Sequence, residues 1–118
     1  MMLVDTSVWV DHLRRGDPGL QSALLDGQVL AHPFVIGELA CGQLARRADI
    51  LGLLEALPAA RIAAYGEALA LVESQRLHGT GIGWVDVHLL ASTRLSRARL
   101  WTHDRRLHTV AQRLAIAA

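Results

Sequence analysis

The sequence predicts an α/β fold in which a mostly parallel sheet is covered by helices on both faces. Two observations support this prediction: short apolar runs typical of buried strands alternate with longer segments of helical spacing, and 52% of the 118 residues are apolar. This length and composition predict one domain spanning 1–118 and exclude intrinsic disorder. No apolar run approaches the roughly 20 residues that a bilayer-spanning helix needs, so no membrane association is expected.

Strands are predicted where short apolar runs lie between turn or capping residues. The first strand ends at Asp5 and a late strand is followed by Asp104, so each places a carboxylate near its carboxyl end. The segment 61–63 is compatible with a short strand or with a helix. The predicted strands cover 2–5, 28–31, 99–102 and, at a sheet edge, 114–117.

Helices are predicted from capping residues, from proline at the first helical position and from the spacing of apolar residues. Thr6 or Ser7 is expected to cap the first helix. Asp17 followed by Pro18 begins the second helix, which stops at Gly27. The predicted helices cover 8–14, 18–26, 33–46, 49–57, 64–77, 84–96 and 105–112.

The charge composition excludes several enzyme classes. All 12 basic residues are arginine, against 11 acidic residues, for a formal net charge of +1. Without lysine the chain has no Schiff-base nucleophile and no phosphate-binding lysine of the P-loop type. The single cysteine, Cys41, cannot form an internal disulfide, which favours a reducing cytoplasm as the location.

Four carboxylates stand out by their surroundings. Asp5 and Asp104 lie at strand ends, where open parallel sheets form their ligand crevice. Glu38 and Asp86 lie in apolar helical segments, where an unpaired charge is costly to bury. Each acid alone fits a structural role such as a helix cap, but together they indicate convergence. Clustered carboxylates must bind a divalent cation, pair with arginine or hold protons, and oxygen-only ligands suit Mg²⁺ or Mn²⁺.

Four segments carry a resemblance to a known family. Residues 4–9 (VDTSVW), 36–39 (IGEL), 83–91 (GWVDVHLLA) and 100–104 (LWTHD) resemble the PIN-domain ribonucleases, and most closely the VapC-type toxins of bacterial toxin–antitoxin pairs. The four motifs are in order and cover essentially the whole chain. The resemblance implies a three-layer α/β/α sandwich and a Mg²⁺- or Mn²⁺-dependent endoribonuclease. It also implies an inhibitory antitoxin, an RNA substrate and a homodimer.

The family's catalytic acids correspond to Asp5, Glu38, Asp86 and Asp104. Of these, Asp5, Asp86 and Asp104 are expected to hold the metal, while either Asp5 or Glu38 orients the attacking water. Residues beside the ligands are expected to hydrogen-bond them, namely Thr6, Ser7 and Thr102. Substrate contacts are expected from His103, Arg105, Arg106 and Arg14. For the three tryptophans near these acids, Trp9, Trp84 and Trp101, core packing is favoured over stacking on RNA bases.

Two other functions are compatible with the same residues. A phosphatase with an aspartyl nucleophile would use Asp5, but the sequence lacks a second acid two residues later and lacks lysine. A non-catalytic module that binds RNA or protein would use the acids only to order the fold. Cleavage of RNA that depends on a divalent ion and on Asp5 distinguishes the nuclease from both.

Overall fold

Three parallel strands form one sheet flanked by seven helices in the computed structural model, which describes residues 1–118. The predicted α/β/α fold is therefore confirmed. The strands are β1 (Met2–Val4), β2 (Val29–Leu30) and β3 (Arg99–Trp101). The helices are α1 (Thr6–Arg15), α2 (Pro18–Leu25), α3 (Pro33–Cys41), α4 (Arg47–Glu55), α5 (Tyr65–Gln75), α6 (Trp84–Leu95) and α7 (Arg105–Arg113). None of these helices has both the length and the apolar character required to span a membrane.

The strand order β2-β1-β3 determines where the site lies. The chain runs from central β1 to β2 on one side and later adds β3 on the other, and both pairings are parallel. The carboxyl ends of β1 and β3 are joined where the Asp5 amide donates to the Trp101 carbonyl over 2.9 Å. This reversal of strand order is the position at which open α/β sheets place ligands.

A contiguous apolar core fixes these elements. It includes fully buried Leu3 and Leu100 from adjacent strands, Leu89 and Leu90 from α6, and Leu107 from α7. Helix α6 packs on β1 and β3, and α7 packs on β3. The residues that follow β1 and β3 are therefore held by a close-packed interior, in which small displacements are costly.

The first helix begins earlier than predicted. Asp5, rather than Thr6 or Ser7, is its N-cap: Asp5 has extended backbone angles, and its Oδ1 accepts the Thr6 amide over 2.8 Å. The β1 strand accordingly ends at Val4. Aspartate is among the strongest N-cap residues. Asp5 therefore begins the first helix instead of ending the first strand.

Helix α3 is shorter than predicted. It ends at Cys41 rather than continuing toward Arg46, with Gly42 as its C-cap donating to the Leu39 carbonyl. Arg46 has a left-handed backbone (φ 52°) and precedes α4. The chain therefore turns between α3 and α4, which pack on each other.

The segment 61–63 is neither strand nor helix, and two of its amides donate to serine hydroxyls of α6 and of its C-cap. The Arg61 amide donates to Ser96 and the Ala63 amide donates to Ser92. Only Ala59 pairs with the sheet, through a single parallel bridge to Ala31. The predicted edge strand 114–117 is likewise reduced to one parallel bridge, between Ala117 and Leu100.

Candidate active site

Asp5 is the most buried of the four acids and has the most hydrogen bonds. It is only 7% exposed. Its Oδ2 accepts the Thr102 hydroxyl over 2.7 Å and the Ser7 hydroxyl over 2.9 Å, in addition to the Thr6 amide on Oδ1. Together these three hydrogen bonds fix the orientation of the carboxylate. Ser7 and Thr102 thus contact the predicted ligand as the sequence indicated.

Glu38 is exposed on α3 and is tied to the same region by Thr6. The Thr6 hydroxyl donates to Glu38 Oε1 over 2.9 Å, across 32 residues of sequence. Because Thr6 directly follows Asp5, this bond orients the Glu38 side chain toward the end of β1. Helix α3 also packs against α1, which carries Thr6. The third predicted supporting residue is therefore positioned between two of the acids.

Asp86 lies at the third position of α6, where it accepts the Gly83 amide over 3.1 Å in a capping arrangement. Burial raises the pKa of the Asp86 carboxyl, and the Gly83 hydrogen bond acts in the opposite direction. The negative charges of Asp5, Asp104 and Glu38 raise its pKa further. All three other acids are therefore close enough to act electrostatically on Asp86.

Asp104 is exposed and is the N-cap of α7, where its Oδ1 accepts the Leu107 amide over 3.0 Å. Its own amide donates to the Thr102 hydroxyl over 3.0 Å. Three of the four acids therefore sit at helix N-termini, where the helix dipole and free amides stabilise negative charge. Helix capping accounts for the hydrogen bond that one carboxylate oxygen of Asp86 accepts and for the one that Asp104 accepts.

One carboxylate oxygen each of Asp86, Asp104 and Glu38 accepts a hydrogen bond from the protein, and the second oxygen of each accepts none. No group of three or more His, Cys, Asp or Glu side chains is placed so that it could hold a metal ion. Mg²⁺ usually binds through one or two carboxylates and retains several waters, so a preformed cage is not required. This all-oxygen donor set fits a hydrated divalent cation.

His103 is held beside the acids by two contacts. Its amide donates to the Ser7 hydroxyl over 2.9 Å, and its Nδ1 lies 2.6 Å from Asp11 Oδ2 on α1. The hydrogen bond with His103 lowers the pKa of the Asp11 carboxyl. Sequence reasoning did not single out Asp11. Its position one helical turn after Ser7, on the same face of α1, is the signal that could have identified it.

The predicted substrate arginines are exposed and form no ion pair in the structure. Arg106 lies across the loop before α6, within van der Waals reach of Gly81. Arg14 lines a groove of about 450 Å³ whose wall also includes Thr6 and Glu38. Apolar residues close to this groove on α1, α3 and the following turn, including Leu13, Leu39 and Leu44, make much of its surface apolar.

The tryptophans separate into two groups. Trp9 is 4% exposed and belongs to the core, and Trp101 is half-buried and lies near Gly19, so core packing is confirmed for these two. For Trp84 the core interpretation is wrong, because this ring is 41% exposed. Trp84 is the first residue of α6, and its ring contacts the rings of His88 and Tyr65.

Comparison with known proteins identifies the family. The family model described as PIN domain matches residues 2–113. The chain is 44% identical over 118 residues to proteins named Ribonuclease VapC32 from two strains of Mycobacterium tuberculosis, CDC 1551 / Oshkosh and ATCC 25618 / H37Rv. Each match covers 99% of this chain and 95% of the relative. The chain therefore belongs to the PIN-domain family and, within it, to the group that includes these VapC ribonucleases.

Proposed function

We propose that this protein, acting as one domain, is a divalent-cation-dependent endoribonuclease and the toxin of a toxin–antitoxin pair. The observation that carries this proposal is the hydrogen-bond network that joins Asp5 to the end of β3 through Thr102 and joins Glu38 to Thr6, the residue after Asp5. Asp5 and Asp104 follow the carboxyl ends of adjacent parallel strands, and the Thr6 hydroxyl connects Glu38 to the same edge of the sheet. Relatives that are named ribonucleases support phosphodiester hydrolysis as the chemistry.

Asp5, Asp86 and Asp104 would hold a Mg²⁺ or Mn²⁺, with Glu38 completing the acidic set. When bound, such a cation supplies Lewis acidity toward a phosphoryl oxygen and makes water more acidic. Thr102 and Ser7 hold the Asp5 carboxylate in one orientation through hydrogen bonds, and the Thr6 hydroxyl orients Glu38 toward the same region. Either Asp5 or Glu38 would accept a proton from the attacking water.

The exposed arginines provide the electrostatic contacts for a polyanion. Arg105 and Arg106 follow Asp104 in the first turn of α7, and Arg14 lines the groove beside Glu38. Planar guanidinium groups bind phosphate through paired hydrogen bonds. We propose that these arginines and His103 contact the RNA on either side of the scissile phosphate.

The groove beside Glu38 supports inhibition by a protein partner. A segment of an antitoxin lying along its apolar wall would cover Thr6 and Glu38 and obstruct the acids. The toxin assignment further implies a homodimer and a cytoplasmic location. Light scattering of the purified chain tests the dimer, with a monomer as the contradicting result.

RNA cleavage tests the catalytic assignment. We expect Mg²⁺ or Mn²⁺ to activate cleavage, excess EDTA to stop it, and Asp5→Asn to abolish it while circular dichroism shows a folded chain. Asp17→Asn is the matched control, because it makes the same change at the N-cap of α2. Asparagine preserves capping at both positions.

Three outcomes would contradict the proposal. Cleavage that persists in EDTA, or at the wild-type rate in Asp5→Asn, excludes the metal-dependent mechanism. Covalent phosphate on Asp5 would identify an aspartyl phosphatase instead. RNA binding without turnover under any divalent cation would identify a non-catalytic module.

A further inference from the structure

His103 is fixed to helix α1 at two points. Its backbone amide donates to the Ser7 hydroxyl over 2.9 Å, and its ring nitrogen Nδ1 lies 2.6 Å from Asp11 Oδ2. Ser7 and Asp11 are one helical turn apart, so both contacts are made with the same face of α1. Together the two contacts determine where the backbone of His103 lies and how its ring is oriented.

The backbone contact places His103 next to the proposed cation ligands. The Ser7 hydroxyl that accepts the His103 amide itself donates to Asp5 Oδ2 over 2.9 Å. In the sequence His103 lies between Thr102, whose hydroxyl donates to Asp5, and Asp104. Two hydrogen bonds therefore separate the His103 backbone from the Asp5 carboxylate, and the His103 side chain remains 39% exposed beside it.

The contact with Asp11 occupies only one of the two ring nitrogens of His103. A carboxylate accepts hydrogen bonds and donates none, so Nδ1 carries the proton that faces Asp11. Nε2, on the other side of the ring, has no hydrogen bond within the protein. Asp11 is itself held through its second oxygen, which accepts from Arg15 over 3.4 Å. A carboxylate that orients an imidazole in this way keeps the second ring nitrogen in one direction, as in the catalytic triads of hydrolases.

Stability does not explain the contact between Asp11 and His103. Their side chains are 36% and 39% exposed, respectively. Exposed pairs of this kind contribute little to the free energy of unfolding, because water solvates both partners and both side chains lose rotamer freedom. The contact instead restricts the orientation of the imidazole, which in an isolated exposed histidine exchanges among several rotamers.

We propose that Asp11 is a positioning residue that holds the His103 ring with Nε2 directed at the sugar–phosphate backbone of bound RNA. This inference rests on the proposed ribonuclease function and on His103 as an RNA contact. The imidazole is immobilised when the protein folds rather than when RNA binds, and preorganisation of this kind strengthens binding. RNA held at the acids would therefore meet a hydrogen-bonding group whose position is already fixed.

A pair of Asp11 variants tests this proposal through RNA affinity. Asp11→Asn and Asp11→Ala both remove one negative charge, but only asparagine retains a side-chain oxygen that accepts from Nδ1. Loss of the charge alone should strengthen the binding of a polyanion. We expect Asp11→Ala to bind RNA roughly threefold to tenfold more weakly than Asp11→Asn. Asp26→Ala, an exposed acid that follows α2, is the charge control and should not weaken binding.

The difference between alanine and asparagine at position 11 should require the His103 ring. In a chain that already carries His103→Ala, the two Asp11 variants should bind RNA equally, because the side chain that Asp11 orients is gone. A role of Asp11 in the fold alone would act equally in both backgrounds. The Tm of every variant should stay close to that of the parent, since the contact is exposed.

Affinity is measured in Mg²⁺ for a single-stranded RNA of mixed sequence, with all variants carried in Glu38→Gln to stop cleavage. The hydrogen bond of Glu38 is accepted from Thr6, and glutamine retains an oxygen that accepts it. The background therefore leaves the contacts of His103 unchanged.

The proposal is overturned if Asp11→Ala binds RNA as tightly as Asp11→Asn, or if their difference persists without the His103 ring. Equal RNA affinities with a smaller increase in Tm on addition of Mg²⁺ would assign the contact to fixing Asp104, and would also overturn it. A wild-type chain that binds no RNA overturns both proposals. A wild-type chain that cleaves no RNA, but whose affinity depends on Asp11 and His103 as described, overturns the nuclease function and leaves the positioning role standing.

Discussion

The Thr102 hydroxyl donates to Asp5 Oδ2 over 2.7 Å and thereby joins the ends of β1 and β3 across 97 residues of sequence. The same hydroxyl accepts the Asp104 amide over 3.0 Å. One buried side chain thus fixes both the orientation of one proposed ligand and the backbone of another. Groups that orient metal ligands in this way commonly change metal affinity or activity by one to two orders of magnitude.

Replacing Thr102 should therefore impair catalysis more than folding. Thr102→Val preserves the shape of the side chain but removes both hydrogen bonds, so we expect RNA cleavage at fixed Mg²⁺ to fall about 10- to 100-fold. Initial rates over a range of Mg²⁺ concentrations measure this effect. Thr109→Val, an exposed position on α7 whose hydroxyl contacts only the Arg105 carbonyl, is the control. Equal rates for the two variants would contradict an orienting role for Thr102.

Neutralising Asp86 should stabilise the protein without metal and weaken its response to metal. Its raised pKa means that the folded state disfavours the ionised carboxyl at neutral pH, because of burial and three neighbouring acids. We expect Asp86→Asn to raise the Tm in EDTA and to reduce the increase in Tm that millimolar Mg²⁺ produces. Glu73→Gln, on the exposed face of α5, should alter neither quantity. A lower Tm in EDTA for Asp86→Asn would argue against repulsion among the acids.

Acid should destabilise the protein through His32. Burial, with the charge of His88 adding to it, lowers the pKa of fully buried His32 from 6.5 to about 4. Its Nδ1 accepts the Phe34 amide, so the neutral ring carries its proton on Nε2, which faces Ser92. The unfolded chain binds a proton near pH 6.5 and the folded chain only near pH 4. The stability that neutral His32 contributes is complete above pH 6.5 and is lost as pH falls toward 4.

Urea unfolding at pH 7 and pH 5 measures this loss. The wild type should lose about 2 kcal/mol more than His32→Asn between these values, given about 1.4 kcal/mol for each pH unit. Asparagine retains N-cap capacity and does not titrate. His78→Asn, at an exposed position, should follow the wild type. Parallel pH profiles for wild type and His32→Asn would show that His32 does not control this range.

Ser92 should contribute strongly to the free energy of unfolding, although it is not one of the proposed site residues. It is fully buried, and its hydroxyl oxygen lies 3.2 Å from both His32 Nε2 and the Ala63 amide. Ser92→Ala leaves two buried donors without an acceptor, so we expect the free energy of unfolding to fall by about 2–4 kcal/mol. Ser74→Ala, exposed on α5, should change it by less than about 0.5 kcal/mol. A small effect at Ser92 would mean that water replaces the hydroxyl.

Local sequence signals were sufficient to predict a helix boundary where one or two residues determine the backbone conformation. The Asp17–Pro18 pair begins α2 as predicted, and each observed helix and strand lies within five residues of its predicted bounds. Prediction failed where distant groups compete for a backbone hydrogen bond. Nothing in the local sequence of the 61–63 segment reveals that serine hydroxyls accept its amides. These amides therefore donate to serine side chains rather than to a neighbouring strand. Likewise, nothing local distinguishes Trp84, which is exposed, from Trp9, which is buried.

The sequence by itself determined the alternation of strands and helices, the resemblance to the family, and which four acids stand out by their surroundings. These properties follow from composition, periodicity and motifs that are local in the chain. Only the tertiary structure decided which side chains form hydrogen bonds across the chain. The Thr6 hydroxyl donates to Glu38, the Thr102 hydroxyl donates to Asp5, and the His103 ring pairs with Asp11. Such contacts need alignment within hydrogen-bonding distance, and packing of the β1–β3 edge against its helices supplies that alignment.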